Sequence, residues 1–364
     1  MTIRQLDATR VSKIADELAS KFRNRIIGQP KAFEALSKVL LKYQSGIYDR
    51  RRPISSLLFL GPTGVGKTGS VEAFVEGLFG SPTHMLKIGC AEFQHSHEIA
   101  KLVGSPPGYL GHRETHPFFT NKAVREKFCI YKTSTINGGE IECGQRNPAF
   151  TVILFDEIEK GNDALWNLML GILDKGELTT GTNEIVDFTP TVIIMTSNVG
   201  STLLGEENAI GFDSISKSKT AVQMEETAMS AARKKFLPEF LNRMDETIVF
   251  NTLTPTDLVD ILRIELDKLR SQVVLTSRII FDIEVSPAAK SKLLAEGYDK
   301  RYNARELRRV VERRVSQPLG RLVATGQILN NDVVIVDYID GEWKYFAKNT
   351  GGTTNLRTEQ AANV

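Results

Sequence analysis

The chain has 364 residues, is 41% hydrophobic and 25% charged, and carries a formal net charge of +2. That length is ample for two domains with their own cores, and so slight a charge gives no bulk electrostatic case for nucleic acid or a membrane surface. No apolar run approaches the roughly 18 residues of a membrane span, the opening Met1-Thr2-Ile3-Arg4 lacks a signal-peptide core, and three cysteines without metal-like spacing (Cys90, Cys129, Cys143) fit reduced thiols in a cytosol.

Residues 1–24 read as a helix, with Val11, Ile14, Leu18 and Phe22 on one apolar stripe. Ile26-Ile27-Gly28-Gln29 is a short apolar turn. Pro30 suits the first position of a second helix, with Phe33, Leu36, Leu40 and Tyr43 facing inward. Arg50-Arg51-Arg52-Pro53 is a basic linker, read as solvated surface. Leu57-Leu58-Phe59-Leu60 is a buried parallel strand running into Gly61-Pro62-Thr63-Gly64-Val65-Gly66-Lys67-Thr68. This Gly-x4-Gly-Lys-Thr loop predicts a phosphate cradle at the start of a helix around Ser70 to Leu78. Its glycines let backbone N–H groups wrap a polyphosphate. Lys67 would reach the β- and γ-phosphates, and the Thr68 hydroxyl would ligate Mg2+.

His84 to Ile88 is a second strand. His95 and His97 beside Glu98 raise a metal site, but the segment reads as helical, where i and i+2 point apart, and no further ligands complete a set. The loop Gly104-Ser105-Pro106-Pro107-Gly108-Tyr109-Leu110-Gly111 presents an aromatic and a leucine, either as contact residues or folded back onto the core. Cys129–Ile136 and Glu140–Cys143 around Asn137-Gly138-Gly139 form a hairpin. Thr151 to Phe155 is another buried strand, ending in Asp156 and Glu157 about ninety residues after the phosphate loop. There Asp156 would bind the metal, mostly through water, and Glu157 would orient or deprotonate an attacking water.

Leu165, Leu168, Met169 and Ile172 form a core stripe, Thr180-Gly181-Thr182-Asn183 a turn, and Thr191–Asn198 a further strand. Its C-terminal end is where open α/β sheets bind ligands, which puts Asn198 near a γ-phosphate. Residues 200–219 form a polar loop carrying Ile210-Gly211-Phe212, an anchor or a partner contact. Phe236 to Asp245 ends a helix, and Thr247–Phe250 is a strand. Thr254, Pro255 and Asp257 cap the helix that opens a second domain, with apolar residues at Leu258, Ile261, Leu262 and Ile264. A later helix is strongly basic (Arg308, Arg309, Arg313, Arg314). However, Leu307, Val310, Val311 and Val315 give it a core face, and Glu306 and Glu312 dilute its charge, so nucleic acid is disfavoured. Val333–Val336 is a last strand, and Lys348 onward reads as a disordered tail.

The strings Gly61–Thr68, Pro106–Gly111, Ile153–Glu157, Thr196-Ser197-Asn198, Pro238–Arg243 and Asn303-Ala304-Arg305 occur in an order that resembles the AAA+ ATPases of the Clp group. The likeness is to the second ATPase module of ClpA, ClpB and ClpC. It implies an α/β fold: a phosphate-loop αβα parallel-sheet domain over 1–252, a smaller mostly helical lid with a short sheet over 253–347, and a tail over 348–364. It also implies ATP and Mg2+ as ligands, and a cytoplasmic homo-oligomeric ring, usually a hexamer, that unfolds polypeptide by threading it. By the same resemblance Ile26 and Ile27 flank adenine, and Asn198 and Arg305 are the first and second sensors. Arg243 is the arginine finger reaching a neighbour's ATP, and Tyr109 and Leu110 are the pore loop. Ile210-Gly211-Phe212 sits where relatives dock a ClpP-like peptidase; a loop anchor is the alternative. The sequence begins directly at the module, so adaptor and substrate recognition are expected to be missing or supplied elsewhere. The hairpin over 129–143 is longer than the family's link, and Asn303 stands where the family has Gly; Asn also tolerates a left-handed backbone. A non-proteolytic chaperone and a slow nucleotide-dependent scaffold remain as rival readings.

Overall fold

The computed structural model describes residues 25–105, 116–126, 129–132, 142–145, 149–200, 221–276, 279–298 and 303–349. The expected first helix, Tyr109 and Leu110, the Asn137–Gly139 turn, Ile210–Phe212 and the tail beyond Asn349 lie outside these residues. Two compact units divide the chain: Met1–Pro62 with Gly66–Asn251, and Thr252–Val364 with Thr63–Val65.

In the first unit, α1 (Pro30–Ser45) opens on its proline and stops at Gly46, whose φ of +66° only glycine adopts freely. Its buried face is Ala32, Ala35, Leu36, Val39 and Leu40, while Phe33 and Tyr43 are only half-buried. The expected stripe is thus rotated, because the two alanines allow the close approach and the larger aromatic rings sit at its margin. Then follow β1 (Ser55–Leu60), α2 (Lys67–Phe79), β2 (Met85–Gly89), α3 (Ala100–Val103), α4 (Asn121–Glu126), and the antiparallel pair β3 (Cys129–Lys132) and β4 (Glu142–Gln145). After them come β5 (Thr151–Asp156), α5 (Asp163–Lys175), the hairpin β6 (Glu177–Thr179) and β7 (Ile185–Asp187), β8 (Thr191–Ser197), α6 (Ala221–Lys235), α7 (Pro238–Leu241) and β9 (Glu246–Val249).

Five of these strands form a parallel sheet in the order β2-β5-β8-β1-β9. Every residue of β1 and β8 is buried, as a sheet covered on both faces requires. Burying each such Leu, Ile or Phe contributes about 1.5–3 kcal/mol. The register aligns the C-terminal ends: Leu60 lies beside Ser197, Phe155 beside Met195 and Gly89 beside Asp156. The loops that follow these four strands therefore leave the sheet along one edge.

The second unit holds α8 (Pro255–Thr276), β10 (Asp282–Val285), α9 (Pro287–Gly297), α10 (Ala304–Val311), α11 (Gln317–Ala324), β11 (Asp332–Ile339) and β12 (Glu342–Asn349). Thr254 and Asp257 close a reciprocal cap on α8, with Thr254 N–H donating to Asp257 at 2.8 Å and Asp257 N–H to Thr254 Oγ1 at 3.2 Å. A three-stranded sheet, β10-β11-β12, packs its apolar face on these helices. Leu307, Val310, Val311 and Val315 are buried, while the arginines between them find carboxylates: Arg308 pairs with Glu265, Arg309 and Arg313 with Glu306, and Arg314 with Glu296. Lys348, read as the start of a tail, belongs to β12. Asn303 has φ +48° and ψ −133°: the positive φ that suits glycine, but not the left-handed helical region.

Candidate nucleotide-binding site

Where β1 meets α2, the backbone turns through Gly61, Gly64 and Gly66 at φ +147°, +83° and +101°. At Gly61 an added Cβ would lie 3.0 Å from Phe250 Cβ, so the turn is also a close approach. Helix α2 begins at Lys67, earlier than the sequence placed it, so Lys67 and Thr68 occupy its first turn. No side chain caps that turn, which leaves its N–H groups and the positive helix end available to an anion.

Lys67 is only 6% exposed. Its ammonium donates to Gly61 O at 2.6 Å, Pro62 O at 2.8 Å and Asn198 Oδ1 at 2.9 Å. Burial lowers its pKa to about 8, against the pull of Glu159, Asp156 and Glu157, which favour the charged form.

Asp156 ends β5, and Thr68 Oγ1 donates to its Oδ1 at 3.1 Å. Thr196 on β8 donates to the same oxygen and accepts the Glu157 N–H at 3.1 Å. Lys87 of β2 lies 3.9 Å from the other Asp156 oxygen. Glu157 holds φ +59°, a left-handed conformation unusual outside glycine and asparagine, and the Thr196 bond fixes it there. Asn198 Nδ2 donates to Glu157 Oε1 at 3.2 Å, and Lys160 to its Oε2 at 2.5 Å. Asn198 N–H in turn donates to Glu159 Oε1 at 3.1 Å. One chain of hydrogen bonds therefore runs Lys67–Asn198–Glu157–Lys160.

The donor set fits a magnesium nucleotide. Uncapped helix N–H groups and one buried ammonium suit a polyphosphate, and a hydroxyl next to a carboxylate suits a hard cation. Lys67, Thr68, Asp156, Glu157 and Asn198, all named from the sequence, converge here. Thr196, Glu159, Lys160 and Lys87 were not singled out as site residues, although Thr196 and Glu159 lie within or beside strings that were. Glu159 and Lys160 follow the end of β5, but Thr196 and Lys87 lie within β8 and β2 and meet the site only through contacts distant in sequence.

Elsewhere the expected residues are dispersed. Ile26 and Ile27 are half-buried in the turn before α1, followed by Gln29, which exchanges hydrogen bonds with the Asn251 backbone at 2.9 Å each way. Arg243 follows α7, and its carbonyl accepts from Ser56 Oγ at 2.8 Å, near the start of β1. The phosphate loop leaves the opposite end of that strand. At about 3.3 Å per residue, the five steps from Ser56 to Gly61 separate the two by roughly 17 Å. Arg305 is exposed on the first turn of α10, in the second unit. His95 and His97 differ from expectation: His95 caps a short 3-10 turn rather than lying within a helix, and the two rings stack at 5.6 Å. Among the described residues no group of three or more His, Cys, Asp or Glu is arranged to hold a metal ion, and no helix is long and apolar enough to cross a membrane.

Residues 52–132 and 131–247 match the family described as AAA domain (Cdc48 subfamily), and residues 253–336 match the C-terminal D2-small domain of ClpB protein. Curated relatives include the ATP-dependent Clp protease ATP-binding subunits ClpC of Staphylococcus saprophyticus and Staphylococcus epidermidis. Each is 36% identical over 343 residues, covering 94% of this chain and 38% of the relative. The chain thus spans less than two fifths of their length. Among solved structures, a closed-state reconstruction of Hsp104 with ATPγS and FITC casein aligns at TM-score 0.74 and 25% identity, over 93% of this chain and 53% of that one. The chain belongs to the AAA domain family, Cdc48 subfamily, with a D2-small domain of the ClpB type at its C-terminal side.

Proposed function

We propose that the chain is an ATP-hydrolysing subunit that assembles with copies of itself into a ring and unfolds or remodels proteins by drawing them through the centre. The observation that carries the reading is the hydrogen-bond chain from Lys67 through Asn198 to Glu157. It ties the phosphate-binding lysine to the carboxylate placed to orient or deprotonate an attacking water. As ATP binds, the Lys67 ammonium would exchange Asn198 Oδ1 for a phosphate oxygen, and Asn198 Nδ2, which donates to Glu157 Oε1, is the donor that would turn to the γ-phosphate side of the site. Thr68 and Asp156 would hold Mg2+, which neutralises phosphate charge. The separation of Arg243 from the phosphate loop of its own subunit supports its acting on a neighbour's ATP. Arg305 as second sensor, Ile26 and Ile27 against adenine, and Tyr109 and Leu110 as substrate-gripping loop complete the assignment.

The relatives named as ATP-binding subunits of a Clp protease support one form of this reading, in which Ile210-Gly211-Phe212 docks a ClpP-like peptidase. The Hsp104 neighbour, solved with casein, supports the stand-alone form. The deciding experiment is a pull-down of Glu157→Gln with ATP from native lysate. A barrel peptidase lost on Phe212→Ala means degradation, and polypeptide without peptidase means remodelling. ATP turnover by the wild type that ignores unfolded polypeptide would overturn both forms in favour of a regulatory scaffold.

A further inference from the structure

Among the described residues, three buried side-chain atoms have no hydrogen-bond partner, and one is Arg243 Nε. Yet Asp174 Oδ1 lies only 2.6 Å from it, as an ion pair whose angle misses the N–H direction. Asp174 sits in the last turn of α5, where the helix end is already negative and an anion is unfavourable. Both partners are about one-third exposed, at 36% and 34%. The surroundings fix Asp174: Arg52 Nε caps the Leu173 carbonyl next to it at 3.0 Å, and Gly176 ends the helix at φ +63° against the Arg51 backbone. The Arg243 backbone is fixed as well, by Ser56.

We infer that Asp174 is a positioning residue for Arg243. Its carboxylate meets the inner, Nε edge of the guanidinium and aims the side chain out of the subunit, toward the phosphates of a neighbouring copy. The inference rests on the reading of Arg243 as a finger acting in trans. The ion pair suits that role, because it engages the guanidinium at Nε and leaves the Nη donors of the fork for a phosphate.

Mixed assemblies of the full chain test it. A subunit with Arg243→Ala keeps its own ATP site but donates no finger; one with Glu157→Gln donates a finger but cannot hydrolyse. Mixing the two should restore turnover, read only at the sites of the Arg243→Ala subunits. Adding Asp174→Asn to the Glu157→Gln donor should lower that restored turnover at least tenfold, and Asp174→Glu in the same donor should recover most of it. Adding Asp174→Asn to the Arg243→Ala acceptor should change it less than twofold, an asymmetry that general structural damage would not produce. Fluorescent-nucleotide binding by each variant should match the wild type, which shows that the site has folded. Equal loss from donor and acceptor, or no loss from the donor, overturns the role of Asp174. Failure of the original pair to restore turnover instead overturns the trans reading of Arg243.

Discussion

Lys67 is a charge held in a nearly closed site, and that gives ATP binding a pH dependence of its own. Its pKa is about 8 when folded, against an ordinary value near 10.5. Between those values the unfolded chain binds more protons, so the contribution of Lys67 to folding stability rises with pH across that window and is flat below it. Nucleotide affinity runs the other way, since phosphate needs the ammonium. The dissociation constant for a fluorescent ATP analogue should stay level up to about pH 7.5, then weaken by up to about tenfold per unit above pH 8. Lys67→Arg should remove that midpoint, because a guanidinium does not titrate there; an unchanged midpoint would assign the titration to another group. Glu157→Gln should bind ATP at wild-type strength and lose about 100-fold or more in turnover. Thr196→Val keeps the shape of the side chain but strands the Glu157 N–H in its left-handed turn. It should cost about 1–3 kcal/mol, read as a lower urea midpoint, and slow hydrolysis as well.

At the scale of elements, the β6–β7 hairpin packs backbone against backbone on the segment that ends α3. Gly181 N–H donates to Val103 O at 2.7 Å, and an added Cβ would stand 2.6 Å from Gly104 O. Asn121 ties the same hairpin to α4, donating to Ile185 O at 2.8 Å and accepting from Asp187 N at 2.9 Å. Gly181→Ala should therefore push two backbones apart and cost about 1–3 kcal/mol, with faster amide exchange at Val103 and Gly104 as its signature. Wild-type exchange at both would show that the joint has slack. These joints were hidden in the sequence, where Thr180–Asn183 signals a turn but not what the turn touches. The sheet strands were plain, because burial on both faces writes continuous apolar runs such as Val192–Met195. Strand β10, only Asp282–Val285, carries two carboxylates and no such run. Strand β12 mixes Trp343, Tyr345 and Phe346 with Lys344 and Lys348, so its register comes from pairing with β11 rather than from its own pattern. At the site, the residues that would touch a nucleotide announced themselves by motif. Thr196, Glu159 and Asp174 act through neighbours distant in sequence, and no local spacing encodes that.

The whole molecule has its phosphate loop at one end of β1 and Arg243 near the other, so a single copy does not bring the two together. Hydrolysis that needs both must depend on association. An arginine that stabilises transition-state charge contributes about a thousandfold or more in rate. The dissociated subunit, with Lys67, Asp156 and Glu157 in place, should therefore bind ATP but turn it over very slowly. Specific activity should rise with protein concentration and level off once assembly is complete, following the same curve as mass measured by light scattering. Arg243→Ala should show normal assembly and normal ATP binding, with activity low at every concentration. Added to wild type, it should depress turnover more than dilution alone predicts, since each variant subunit silences the site it faces. Turnover independent of concentration, with Arg243→Ala inert in mixtures, would mean that one subunit completes its own site. The 17 Å estimated along β1 would then have to be closed by a movement within the chain.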